Sequence, residues 1–283
     1  MTAYYVYDVF TDAPFSGNQL AVIPDATGLK EDQLQQIARE FNYSETTFVY
    51  PPKDSAHTAR VRIFTPTMEV PFAGHPTIGT AIALRDDGQA GDMVLELNVG
   101  PIPCAVTDAG AAFTVSAPLE IFDHPDVALI AKALSLPVDA IKTDTHPPVQ
   151  AGVGLDFVMV ELRDTAALEA IQTDVSAFRE GAQRYPSGLD FAVFAYARSD
   201  AQIDARMFAP LDNIPEDPAT GSACAALAAL LTDTLGRDLS LTIRQGETMG
   251  RLSHIKADTK AGDPIAVTIS GNAVRVMEGR LTV

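Results

Sequence analysis

Tryptophan is absent from the 283 residues, which by itself excludes nothing, and cysteine occurs only twice, at Cys104 and Cys224. Two thiols build neither a disulfide framework nor a zinc site, and they fit a reducing compartment, so a cytoplasmic location is expected. Basic side chains are scarce as well: 20 Lys and Arg stand against 37 Asp and Glu, for a formal net charge of -17. Nucleic-acid binding draws its affinity from Lys and Arg displacing counterions, so a surface of this sign is unsuited to a phosphate backbone. It is equally unsuited to an anionic membrane surface, and neither kind of partner is expected. Long apolar runs are missing too. The most apolar stretch, Ala223 to Leu231, has nine residues, about half of the ~18 that a bilayer span needs. The N-terminal MTAYYVYDVFTDAP has no basic leader and meets Asp8 and Asp12 early, so it does not read as a signal peptide. HExxH, CxxC, a Walker loop and a G-x-S-x-G elbow are all lacking, and Gly152-x-Gly154 is only a fragment of GxGxxG. His57, His124, His146 and His254 are scattered, and no His-carboxylate cluster surrounds His75. Neither a metal nor an organic cofactor is expected.

What is present suffices for a core. Apolar residues make up 47% and charged residues 20% of the chain, which excludes disorder. The chain also repeats itself. Arg62-x-Phe64-x-Pro66-x-x-x-Val70-Pro71 reappears as Arg206-x-Phe208-x-Pro210-x-x-x-Ile214-Pro215, an offset of 144 residues and about half the length. A strand-like stretch precedes each copy, Thr46 to Tyr50 and Asp190 to Phe194, and a small-residue apolar segment follows each. So long a period indicates two similar domains rather than a solenoid. Short β-branched runs punctuated by Gly, Pro and Asp predict strands in both halves, from Tyr4 to Phe10 through to Ala273 to Val276. Glu31 to Phe41 reads as an amphipathic helix with Leu34, Ile37, Ala38 and Phe41 on one face. Pro76 to Leu84 and Ser222 to Leu231 carry no charge on any face. A helix without a polar side must be wrapped by other structure, and with mainly strands available the wrapper is a curved sheet. The fold expected is therefore α+β: two pseudo-symmetric domains, each a mixed sheet or barrel around a central apolar helix. The first covers residues 1–120 and the second 121–283, with the crossing at about 117–149, a helix from Pro125 to Ser135, and the last strands available to complete the first domain.

Each apolar helix follows a turn of small and polar residues, Phe72-Ala73-Gly74-His75-Pro76-Thr77 in one half and Glu216-Asp217-Pro218-Ala219-Thr220-Gly221-Ser222 in the other. Helix N-termini present free N–H groups and about half a positive charge, a natural anion site. In isolation Thr77 and Ser222 read as simple caps, but two such ends at matching places of a duplicated chain favour a ligand. If the halves face each other, both ends serve one cleft, where each stabilises a carboxylate by roughly 0.3–1 kcal/mol.

FAGHPTIGTA (Phe72 to Ala81), EDPATGSACAAL (Glu216 to Leu227) and SETTFV (Ser44 to Val49) resemble the signatures of the phenazine-biosynthesis PhzF-like isomerase family. DVFTDAPFSGNQLAVI (Asp8 to Ile23) and Gln245-Gly246-x-x-x-Gly250-Arg251-x-Ser253 are similar to it too, so the resemblance spans nearly the whole chain. It implies a diaminopimelate-epimerase-like fold with the active site between two domains, a homodimer and no cofactor. It places the catalytic glutamate on Glu45, with His75 and Asp217 as further catalytic groups; Gly74, Thr220, Gly221 and Ser222 fall in the substrate-binding turns. The family's phenazine enzyme carries a proton between ring carbons of a cyclohexadiene carboxylate, a task for a carboxyl that can both accept and donate near neutral pH.

Without the resemblance, Glu45 is one acidic residue among 37. Racemases of the same fold use two cysteines before the buried helices; Ala73 and Ala219 stand at those places here, and Cys224 reads as packing inside its helix. One-base proton transfer therefore fits better than two-base racemisation. Asn213 replaces the glycine common in the family before EDPATGSA. The function expected is a cofactor-independent isomerase of a small anionic carboxylated metabolite, cyclic dienyl compounds included. The alternative is a non-catalytic small-ligand-binding or interaction protein of the same fold.

Overall fold

β-Branched and aromatic runs between Gly and Asp turns become strands throughout the computed structural model, which describes residues 1–283. The chain forms two units, Met1–Thr114 with Ser270–Val283, and Val115–Ile269. In the first unit, β1 (Thr2–Val9) and β2 (Asn18–Ile23) precede helix α1 (Glu31–Phe41) and strand β3 (Glu45–Tyr50). Strands β4 (Ala59–Phe64) and β5 (Glu69–Val70) lead to helix α2 (Gly74–Asp86), and β6 (Met93–Leu97), β7 (Gly100–Thr107) and β8 (Gly110–Val115) follow it. The second unit contains β9 (Glu120–Asp123), α3 (Val127–Ala133), β10 (Val149–Gly152), β11 (Asp156–Leu162), α4 (Thr165–Glu169) and α5 (Val175–Arg184). It continues with β12 (Val193–Ser199), β13 (Gln202–Ala209), β14 (Ile214–Asp217), α6 (Gly221–Leu235), β15 (Ser240–Gln245), β16 (Ser253–Lys260) and β17 (Ala266–Gly271). The chain then returns to the first unit, where β18 (Ala273–Leu281) runs antiparallel beside β1.

The duplication is visible in the strand pairing. In the first unit β1/β2 is antiparallel, β2/β3 parallel, β3/β4 antiparallel, β4/β6 parallel and β6/β7 antiparallel. The second unit repeats that order with β10/β11, β11/β12, β12/β13, β13/β15 and β15/β16. The match corrects one detail of the sequence repeat. Ile63 faces Val70 in β4/β5, and the equivalent pair in β13/β14 is Met207 with Asp217. The offset is thus 144 residues at Met207 but 147 from Asp217 onward, and Gly74 and Gly221 likewise open α2 and α6. The extra three residues lie about a 3₁₀ turn at Pro210–Asp212, which ends on Asn213 in the left-handed region at φ 61°. Asparagine is, after glycine, among the residues that best tolerate that conformation, so Asn213 can hold a left-handed turn at the position where the resemblance leads one to expect glycine. The Ile214-Pro215 match to Val70-Pro71 is therefore fortuitous. With the corrected offset Glu69 corresponds to Glu216, and the repeated arginines gain a purpose: Arg62 Nη2 and Nε donate to Glu69 at 2.6 and 2.8 Å, and Arg206 grips Glu216 in the same two-pronged way at 2.8 Å.

Each apolar helix is wrapped by strands of its own unit. α2 packs on β1, β2, β3, β6, β7 and β18, and α6 on β10, β11 and β16. Gly74 through Ala83 are all buried in α2, and in α6 Ser222 alone is only half-buried between Gly221 and Thr232. α1 occupies the residues its periodicity predicts, with Leu34, Ile37 and Ala38 inward, and ends on Asn42 in the left-handed region. The strand expected from Asp190 begins later, at Val193, because Phe191 takes φ 61° and breaks the extended backbone. No helix is long and apolar enough to cross a membrane.

Candidate active site

In the first unit β2 and β3 lie parallel with Leu20 beside Glu45, which opens β3. α2 starts at Gly74 after Ala73 in extended geometry, and His75 is its second residue. His75 Nε2 lies 3.4 Å from Glu45 Oε2, with the imidazole 5% and the carboxyl side chain 16% exposed. The ring also forms a hydrogen bond with the backbone of Gln19. Burial outweighs that bond and pushes the His75 pKa down to about 3, because a desolvated imidazolium has no compensating water. The positive end of α2 works in the same direction. His75 is thus a neutral ring facing Glu45, not half of an ion pair. Thr77 does not cap the helix; its Oγ1 donates back to the Ala73 carbonyl at 2.8 Å. Deeper along α2, Thr80 Oγ1 donates to Thr47 Oγ1 at 3.0 Å.

In the second unit, Asp217 ends β14 and Thr220 precedes α6 as its N-cap residue, again without a side-chain cap. Thr220 Oγ1 donates to Asp217 Oδ2 at 2.6 Å. Gln245, at the end of β15, closes the turn from the other side: its Nε2 donates to the Asp217 carbonyl at 2.7 Å and to Thr220 Oγ1 at 2.9 Å, while its Oε1 accepts from Thr220 N–H at 3.1 Å. Because Thr220 Oγ1 accepts from Gln245, its own proton is directed at Asp217. Gly246 follows at φ 78°, where a Cβ would lie 2.5 and 2.7 Å from the Arg251 and Pro218 carbonyl oxygens, so only glycine lets the two loops approach. Asp217, Thr220 and Gln245 are all buried. Gly221 and Ser222 occupy the first two positions of α6, as Gly74 and His75 do in α2. Gln245 lies in a motif that resemblance alone singles out; its polar contacts appear only in the fold.

Ala73 is the N-cap residue of α2 and Ala219 lies immediately before that of α6, so no thiol precedes either helix. Cys224 is fully buried within α6, and burial, assisted by the Asp217 charge, pushes its thiol far up; burial alone raises Cys104 to about 12. Neither sulfur is available as a base near neutral pH. Neither helix end gathers three metal-ligating side chains.

Residues 7–279 match the family described as phenazine biosynthesis-like protein. The chain belongs to that family. It is 39% identical to an uncharacterised isomerase of Mesorhizobium japonicum, with 98% of each chain covered. It is 36% identical to the trans-2,3-dihydro-3-hydroxyanthranilate isomerase of Pseudomonas aeruginosa, with 99% of each covered. Among solved structures, a PhzF-family phenazine biosynthesis protein of Bacillus anthracis superposes with a TM-score of 0.89 at 23% identity, covering 100% of this chain and 99% of that one. A hydroxyproline epimerase of Agrobacterium vitis shares the fold at TM-score 0.60 and 15% identity, covering 99% of this chain and 90% of that one. Membership makes this family protein an isomerase with the mixed α+β fold of the phenazine and epimerase enzymes.

Proposed function

We propose that this isomerase shifts a proton within a small carboxylated metabolite, with Glu45 as the single acid and base. The observation that carries the reading is the approach of Glu45 Oε2 to the buried, neutral His75 Nε2 at 3.4 Å, at the start of a helix with no charged residue in its buried turns. A carboxyl that is partly desolvated yet still reachable from solvent suits a group that must both give and take a proton. The N–H groups of Gly74 and His75 are oriented to hold a substrate carboxylate and the charge developing beside it. We assign Asp217, Thr220, Gly221 and Ser222 to the same reaction: they stand at the matching helix end of the duplicated unit, and Gln245 holds Asp217 and Thr220 in a defined arrangement.

The 36% identical Pseudomonas enzyme is named for trans-2,3-dihydro-3-hydroxyanthranilate, which makes that compound the first substrate to try in a panel of cyclic and enolisable carboxylates. The assay runs in D₂O and reads solvent deuterium at carbon together with the isomerised product. For an accepted substrate, Glu45→Gln is expected to lower turnover roughly 10²–10⁴-fold, the usual worth of positioned acid–base catalysis. Equal rates in the variant and the parent overturn the role of Glu45. Tight binding without exchange or product across the panel overturns catalysis and leaves a binding protein.

A further inference from the structure

Glu216 and Asp217 are consecutive on β14, and consecutive side chains leave a strand on opposite faces. Asp217 is buried and stands opposite Met207. Glu216 turns the other way, to the Arg206 guanidinium, which lies 4.8 Å over the Phe208 ring. The backbone ladder does not decide this arrangement. Met207 pairs with Asp217 and Ala209 with Ile214, with a register shift between the two pairs, and such a bulge breaks the alternation that separates inward from outward residues. The glutamate supplies what the ladder lacks. Its Oε1 accepts from Arg206 Nε at 2.8 Å and from Thr248 Oγ1 at 2.9 Å, and its Oε2 accepts from Arg206 Nη2 at 2.8 Å. Arg206 is held in turn, since its Nη1 donates to the Leu168 carbonyl at 2.9 Å.

The first unit carries the same device atom for atom. Glu69 Oε1 accepts from Arg62 Nε and from Asn98 Nδ2, both at 2.8 Å, and Glu69 Oε2 accepts from Arg62 Nη2 at 2.6 Å. The Arg62 guanidinium lies 5.1 Å over the Phe64 ring, and Asn98 follows β6 as Thr248 follows β15. The residue after the glutamate is Val70 in one copy and Asp217 in the other. What the two clamps share is therefore the setting of a face, and only in the second unit does that face present a carboxylate. We propose that Arg206 is a positioning residue for Asp217: its two-pronged grip on Glu216, completed by Thr248, fixes the face of β14 from which Asp217 meets Thr220 and Gln245. Lysine cannot replace it, because a point charge does not hold both carboxylate oxygens in one plane. The consequence for turnover rests on the proposed part of Asp217 in the reaction, whereas the placement of its side chain does not.

Amide hydrogen exchange of the full-length protein, followed by NMR, tests the placement without any substrate. The Thr220 N–H donates to Gln245 Oε1 at 3.1 Å and reports whether the Asp217 turn is intact. In Arg206→Lys it is expected to exchange at least about tenfold faster than in the parent, beyond any loss of global stability read from the urea midpoint. Arg62→Lys, which breaks the matching clamp before Val70, is expected to leave Thr220 exchange unchanged. If Arg206→Lys does not fold, Thr248→Val in its exposed turn is read in its place, with the same direction expected. Unchanged Thr220 exchange, or equal acceleration in the Arg62 and Arg206 variants, overturns the proposal. For an accepted substrate, Arg206→Lys is expected to lower kcat/KM about tenfold or more, since a displacement of about 1 Å can cost about 10²-fold. In an Asp217→Asn background the same change is expected to cost little further, because its effect passes through Asp217. Equal losses in both backgrounds assign Arg206 to fold stability alone and overturn the proposal. Failure of every metabolite to turn over, with the exchange as expected, counts against the proposed function and not against the placement.

Discussion

Thr220 shows how much one hydroxyl can organise. It donates to Asp217, accepts from Gln245, and its N–H is taken up by the same glutamine. Thr220→Val keeps the volume and removes both hydroxyl roles, leaving a buried carboxylate oxygen and a buried amide without this partner. Such losses cost about 1–3 kcal/mol, to be read as a lower midpoint in urea unfolding; an unchanged midpoint would mean that water replaces the hydroxyl. The cysteines give a second residue-scale test. Both are buried with raised thiol pKa values, so a thiol reagent at pH 8 should label neither in the native protein and both in denaturant. Rapid native labelling of Cys224 would reopen thiol chemistry at α6. At this scale the sequence was least informative. Nothing local separates Glu45 from the other acidic residues, because what distinguishes it is an imidazole thirty positions away in the chain.

At the scale of elements, the helices lacking an outward polar face were legible because uniform hydrophobicity has only one physical outcome, burial on all sides. Their packing is close enough to depend on small residues. A Cβ on Gly79 of α2 would lie 2.5 Å from Leu20 Cδ2 and 2.7 Å from Val9 Cγ2. Overpacking of this kind costs about 1–3 kcal/mol, and alanine returns at most about 1 kcal/mol in helix propensity. Gly79→Ala is therefore expected to lower Tm, and a raised Tm would show that β1 and β2 yield easily. α5 was harder to anticipate. Its start depends on Asp174 accepting from Ser176 and Ala177 N–H, and its buried face is only Ala177, Phe178 and Gly181, with Gly181 against the ring of Phe191. β16 alternates buried and exposed residues along its whole length, but Ser253, Ala257 and Thr259 on the buried side are too small or polar to advertise a strand.

For the whole molecule, acid is the more demanding direction. His146 is buried and its pKa is lowered, mainly by burial. Below about pH 6.5, its ordinary value, the unfolded chain binds a proton that folded His146 declines, so stability is full above that pH and falls as pH drops toward the folded value. His146→Gln should flatten the loss of urea midpoint between pH 7 and pH 5 relative to the parent. An identical slope in the variant would show that His146 is protonated without unfolding. The net charge of -17 describes a solvated exterior, where charges farther apart than about 8 Å are largely screened at physiological ionic strength.

Composition and repetition alone determined a great deal: a β-rich chain in two related halves, two helices with no face for water, and small polar turns leading into them. These follow from local rules, since hydrophobic period, turn chemistry and self-similarity are written in neighbouring residues. The tertiary structure decided the rest. Which carboxylate meets His75, which glutamine clamps Thr220, and where three residues enter the second copy depend on strand register and helix placement. Register is a property of paired segments, and no single segment contains it.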